Sequence, residues 1–177
     1  MEASPDYCYG ALPSVEQMIR SSDEIFDGTI ADVAYTRIDS FPWLQLDVIV
    51  NEVYSGTLQT GDAVSVYVWG GYIPMFDYFW YSGEEETANF LEDKETLLYI
   101  EPDFGKIPEV GESYLWCVKK EDRDVFPAGV YEPTVSGDKN FMFKSLGDGN
   151  YICENSGNIW SSEQLQSDIM EYFKETE

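Results

Sequence analysis

Histidine is missing from this chain, and basic residues are scarce: 10 Lys and Arg stand against 34 Asp and Glu. Without an imidazole, Ser-His-Asp and Cys-His triads and the usual His-containing zinc sites are excluded. The shortage of positive charge leaves a formal −24, a field that repels phosphate backbones, and no Lys/Arg cluster offsets it locally. Nucleic acid is therefore not an expected partner, and an anionic membrane surface is disfavoured for the same reason. No apolar run approaches the roughly 20 residues that a membrane-spanning helix needs. Cysteine occurs three times, at Cys8, Cys117 and Cys153, with no C-x-x-C pair. Two readings stay open: one bridge to Cys8 in an oxidising compartment, or three reduced thiols acting as small hydrophobes. No secretory leader precedes Pro5, so either the protein is cytosolic or its leader has been removed.

What is present argues for a folded core. A chain of 177 residues is about one domain's worth and can bury roughly two-thirds of its unfolded surface. Its 44% hydrophobic and 16% aromatic residues are spread without a low-complexity tract, which disfavours disorder despite the charge. One unit spanning residues 1–177 is expected, with its core in about 14–157. The acidity reads either as solubility and self-repulsion between copies or as complementarity to a cationic partner, and a monomer is expected.

The periodicity is that of strands. Leu44, Leu46, Val48 and Val50 share one face, opposite Gln45, Asp47 and Asn51. Val64, Val66 and Val68 repeat the pattern opposite Ser65, Tyr67 and Trp69, after the turn residues Thr60-Gly61-Asp62. Phe26, Gly28 and Ile30 share one parity and Val33 and Tyr35 the other, a phase change that a β-bulge around Ala31-Asp32 would accommodate. Further strands are expected at Thr96–Ile100 and Tyr114–Val118, with Lys119–Pro127 as a surface loop. Phe141–Phe143 and Tyr151–Cys153 flank Gly147-Asp148-Gly149-Asn150 as a hairpin. Pro13–Ser22, with Ser14 and Gln17 at capping-box spacing, predicts a short helix. Ser161 and Gln164 repeat that spacing before Leu165, Ile169, Tyr172 and Phe173, the apolar stripe of a C-terminal helix at about 161–175. The fold expected is mainly β: a closed or partly open barrel between a short N-terminal helix and an amphipathic C-terminal one.

The motifs Ser21–Ile30, Val48–Gly56, Thr60–Val66 leading to Gly70-Gly71, and Val110–Leu115 together resemble a group of uncharacterised bacterial proteins, mostly exported. That group is built on an OB-fold barrel related to netrin-like and metalloproteinase-inhibitor domains. The resemblance covers roughly residues 14–157, implies an OB-like barrel and export, and transfers no catalytic residue. Gly28, Gly56, Gly61 and Gly111 match its turns and bulges. The tract after Gly71 looks longer than the group's usual loop, and the C-terminal helix is an addition. The related inhibitors chelate zinc with an amino-terminal cysteine; here Cys8 would first have to become residue one.

Trp69, Tyr72, Phe76, Tyr78, Trp80 and Tyr81, in or beside a predicted loop at 70–81, are the candidate binding residues. Tyr and Trp supply large contact area at low entropic cost, and they suit stacking on a protein or a sugar. Alternatively, they fold back as a cap over one end of the barrel. The acidic positions Asp122, Asp124, Asp148, Asn150 and Glu84–Glu86 suit turns for backbone reasons, and no EF-hand pattern makes them a Ca²⁺ site. Neither a metal nor a cofactor is expected. Missing histidine leaves carboxylate-pair glycoside hydrolysis as the comfortable enzyme class, yet no spacing singles out a pair. The expectation is a non-enzymatic binding module, exported or surface-associated, that recognises a protein or glycan. The rival is a cytosolic acidic protein of immunity type that neutralises a basic partner.

Overall fold

The computed structural model describes residues 15–84, 86–87, 93–102, 107–134, 143–153 and 159–174. Its frame is a long hairpin: β1 (Glu24–Ile38) and β2 (Phe41–Ser55), each 15 residues, joined by the two-residue turn Asp39-Ser40. Both turn residues hold positive φ, 50° and 68°, which matches the twist of the paired arms. β3 (Ala63–Trp69) pairs antiparallel with β2. β6 (Ser113–Lys120) pairs with the first part of β1, and β7 (Tyr131–Pro133) lies between β6 and β3, parallel to β3. The order β1-β2-β3-β7-β6 thus returns to β1, giving a ring of five strands within a larger sheet. β8 (Phe143–Ser145), β9 (Asn150–Cys153) and β10 (Ile159–Ser161) extend that sheet from β6.

Alternation decides what lies inside. Leu44, Leu46, Val48 and Val50 are buried with Val64, Val66 and Val68, joined by Phe26, Ile30, Tyr114, Trp116, Val118 and Tyr131. Ile49, off the pattern, is exposed. β1 and β2 lose register between Ile30 and Asp32, at the predicted phase change, and from there β1 leaves the interior. Gly28 is needed because an added Cβ would lie 2.5 Å from Val48 Cγ1, and its carbonyl accepts the buried Trp116 Nε1–H at 3.1 Å.

A second core fills the other side of β1 and β6. Ile25 and Leu115 pack with Phe143, Tyr151, Cys153 and Trp160, under Met18 and Ile19 of α1 (Val15–Arg20) and Leu165 and Ile169 of the C-terminal helix (Ser162–Lys174). That helix starts where capping spacing places it: Gln164 N–H donates to Ser161 Oγ at 3.1 Å. Ser14, Phe141, Met142 and Cys8 lie outside the described residues, as does the Phe173 side chain. The β8–β9 hairpin forms, with Asn150 N–H bonded to Asp148 Oδ1 at 3.1 Å. Lys119 and Lys120 are not loop residues: they end β6, paired antiparallel with Glu132 and Tyr131 of β7, and Lys119 Nζ also meets Glu132 Oε1 at 2.9 Å. The Cys117 thiol is pushed up to about 12 by burial, against a hydrogen bond to Ser22. No disulfide joins Cys117 to Cys153.

Buried carboxylates staple the turns. Glu24 is 1% exposed, and its oxygens accept Thr57 N–H at 2.8 Å, Thr57 Oγ1–H at 2.8 Å and Leu58 N–H at 3.2 Å. Gly56, at φ +114°, leaves room for it: an added Cβ would sit 1.9 Å from Glu24 Oε2. Gly56→Ala is expected to cost about 3 kcal/mol or more in urea unfolding, from strain plus lost bonds. Gly61→Ala, at φ +93° with nothing within 4 Å, should cost only about 1 kcal/mol. Equal losses would show that Glu24 is not the staple.

Two ion pairs set the acid limit. Glu112 bonds to Lys144 and, at 2.7 Å, to Tyr114 OH. Burial alone would raise its carboxyl, but the Lys144, Glu109 N–H and Tyr114 bonds hold it at about 2. Arg123 and its own N–H hold Glu121 at about 2, against burial. Both folded values lie below the ordinary 4.5, so their stabilisation is complete above about pH 5 and fades as pH falls from 4.5 towards 2. Urea midpoints should be flat from neutral pH to about 5 and then drop, and the drop should be smaller in Glu112→Gln.

Candidate functional site

The doublet Gly70-Gly71 sets the geometry of the aromatic tract. Both glycines hold positive φ, 129° and 115°, and both are pressed by neighbours: a Cβ on Gly70 would meet Pro102 Cα at 2.6 Å, and one on Gly71 would meet Tyr35 Cδ1 at 3.0 Å. Gly70 N–H donates to Pro42 O at 3.1 Å. The chain leaves the ring there as a ribbon, β4 (Gly71–Pro74) antiparallel to β5 (Leu97–Ile100), and then turns into α2 (Met75–Tyr81).

Residues 70–81 are therefore not a loop. Pro74 ends the strand and opens the helix, and Met75 N–H donates to Thr96 O at 2.7 Å, tying the first turn of α2 to the start of β5. Asp77 of α2 pairs with Arg37 of β1. Ser82 N–H closes the far end on Tyr78 O at 3.0 Å. The helix is two turns of mostly aromatic side chains, too short and too uniformly apolar to declare a 3.6-residue period in sequence.

The six predicted residues fall into separate groups. Tyr72 sits in a row with Tyr35 and Tyr99: its ring centroid is 4.9 Å from Tyr35 at 68° and 5.3 Å from Tyr99 at 54°. Phe76 and Trp80 stack at 5.9 Å on α2, and Lys94 Nζ lies 4.6 Å over the Phe76 ring. Tyr78 meets Phe79 edge-on at 5.5 Å. Trp69 is exposed at the end of β3, and Tyr81 ends α2 with its side chain outside those described. Among the described side chains no ring contact joins the Tyr72 row to the Phe76–Trp80 stack.

Sequence reasoning missed Tyr35, Leu97 and Tyr99. Tyr35, Tyr72 and Tyr99 are 45%, 43% and 44% exposed, and Leu97 is 58% exposed on the face of β5 that carries Tyr99. The alternation Leu97-x-Tyr99 was the available signal; its outer face reads as surface only once β5 is known to pair with β4. Burial pushes the Tyr35 and Tyr99 phenols up, helped by Tyr72 for Tyr35 and by Tyr35, Glu101 and Tyr72 for Tyr99. At neutral pH Tyr35 and Tyr99 are therefore protonated phenols, suited to contact and hydrogen bonding.

Other candidates resolve as structure. Arg123 lies 4.6 Å over Phe126 and 5.4 Å over Trp43 while pairing with Glu121 and Glu132, closing a small third cluster with Tyr67 and Val130. Tyr54 OH and Tyr151 OH bond at 2.6 Å, and burial leads in pushing Tyr54 up to about 12 and Tyr151 upward too. Among the described residues no group of three or more Cys, Asp or Glu side chains could hold a metal, and no helix is long and apolar enough to cross a membrane. No protein-family model and no curated protein matches the chain.

Trp69 and Trp80 are exposed while Trp116 and Trp160 are buried. Acrylamide should quench the emission of Trp69 and Trp80 readily, and a Trp69→Phe/Trp80→Phe variant should lose most of the quenchable fraction. An unchanged quenching curve would place these indoles inside the fold.

Proposed function

We propose that this chain is a non-enzymatic binding module, OB-like in its ring and exported or surface-associated, which recognises a protein or glycan through the aromatic face of β4, β5 and α2. One observation carries the reading. A chain that buries Trp116, Tyr114, Tyr131, Tyr151 and Trp160 leaves Tyr35, Trp69, Tyr72, Tyr78, Trp80 and Tyr99 exposed, on strands and a helix rather than on a slack loop. Rigid aromatic area of this kind is what recognition surfaces use, because little side-chain entropy is lost on contact. Exposed apolar patches on a soluble surface mark interaction sites.

Two features support the OB-like part. The ring runs β1-β2-β3-β7-β6, and its one parallel contact among the described residues, Val66 to Tyr131, joins β3 and β7, the third and fifth of the ring strands in chain order. The bulged β1 pairs along both edges, as strands that wrap a small barrel do. Export is supported by the family resemblance of Ser21–Ile30, Val48–Gly56 and Val110–Leu115.

Tyr72→Ala combined with Trp80→Ala tests the site. Across a peptide array and a glycan array, the native chain should bind a defined set of spots and the double variant should lose them, with Tm lowered by no more than about 5 °C. Silent arrays, or unchanged binding by the variant, would refute the assignment. A collapse in Tm would place the two rings in the core instead.

A further inference from the structure

Among the described residues, no further strand lies along one side of the β4–β5 ribbon. β4 packs toward β1 and β2 and ends in Pro74, which has no N–H to give. β5 is the outer strand, and among the described residues it pairs with β4 alone. Its sequence is Leu97-Leu98-Tyr99-Ile100, with no proline and no charge. Exposed edges are ordinarily blunted by such residues, and an unblunted one is a template for another strand.

The Tyr35–Tyr72–Tyr99 row flanks that edge, since Tyr99 is paired with Tyr72 across the ribbon. Its rings meet at 68° and 54° rather than lying flat in a line, which disfavours stacking along successive sugars. Inclined, exposed ring faces suit a cation. The chain already uses rings in this way: Arg20 lies over Tyr172 at 5.7 Å, Lys94 over Phe76 at 4.6 Å and Arg123 over Phe126 at 4.6 Å. Arg37, two residues beyond Tyr35, is engaged by Asp77. A net −24 favours a positive partner and repels a second copy bearing the same charge.

We infer that β5 accepts one added strand from a basic polypeptide, whose Lys or Arg side chains lie over Tyr35, Tyr72 and Tyr99. This rests on the aromatic face being the contact surface, and it names the occupant.

The test uses the full chain and five probes: a synthetic peptide alternating Arg with Thr, the same peptide with Glu for Arg, the Arg peptide N-methylated at alternate backbone positions in each of the two registers, and a chitin oligosaccharide. Amide hydrogen exchange at Leu97–Ile100 and NMR shifts of the three tyrosine rings are the readouts. The Arg peptide should slow exchange along β5, move the rings and weaken at raised salt. Tyr99→Ala should weaken it about five- to tenfold. The Glu peptide should not bind, and one of the two N-methylation registers should lose binding without any change to the protein. Binding that leaves β5 exchange unaltered, or that survives both registers of N-methylation, overturns strand addition. Ring shifts with the oligosaccharide and none with the peptides overturn the basic occupant while the contact surface stands. Rings unmoved by every probe would overturn both.

Discussion

The rest of the molecule depends on β1 being paired on both edges through its first half. From Ile25 to Thr29 it bonds to β2 on one side and to β6 on the other, which turns a row of strands into a ring. That position buries it on both faces, with Phe26 and Ile30 in one core and Ile25 in another. A strand so enclosed has no room for a side chain at Gly28 and no solvent for the carboxylate of Glu24. The carboxylate is tolerated because two backbone N–H groups and a hydroxyl satisfy it.

The bulge past Ile30 is what frees β1 for a second task. Beyond it the strand pairs only with β2, and the hairpin runs on past the ring. That extension carries Tyr35 and Arg37 to the ribbon. Gly70 and Gly71 bring the chain close enough for Tyr72 to meet Tyr35, so one irregularity in β1 and one glycine doublet together create the exposed tyrosine row. Polar pins hold it at both ends, Arg37 to Asp77 and Met75 N–H to Thr96 O, while among the described residues the outer strand pairs with β4 alone.

Much of the fold was legible beforehand. The valine and leucine alternation of β2 and β3, the phase change in β1, the β8–β9 hairpin and the Ser161 cap are local patterns whose periods and turn residues are set within a few positions of chain. The extent of β1 and β2 was harder to read, because Asp39-Ser40 lacks the glycine that usually marks a two-residue turn. Residues 70–81 were misread as a loop for a related reason. A four-residue strand that ends at a proline and a two-turn helix carry too few residues to show a period, and neither would be stable apart from the β5 partner and the Asp77 pair.

By itself, then, the sequence determined the class of structure, the inward faces of the long strands, the acidic field and the absence of any imidazole chemistry. All of these follow from residue identity and near-neighbour spacing. Tertiary structure decided which aromatic rings stay outside and which of them meet. Tyr35, Tyr72 and Tyr99 come from three strands far apart in the chain, and only the closure of the ring and the departure of the ribbon at Gly70-Gly71 set them side by side.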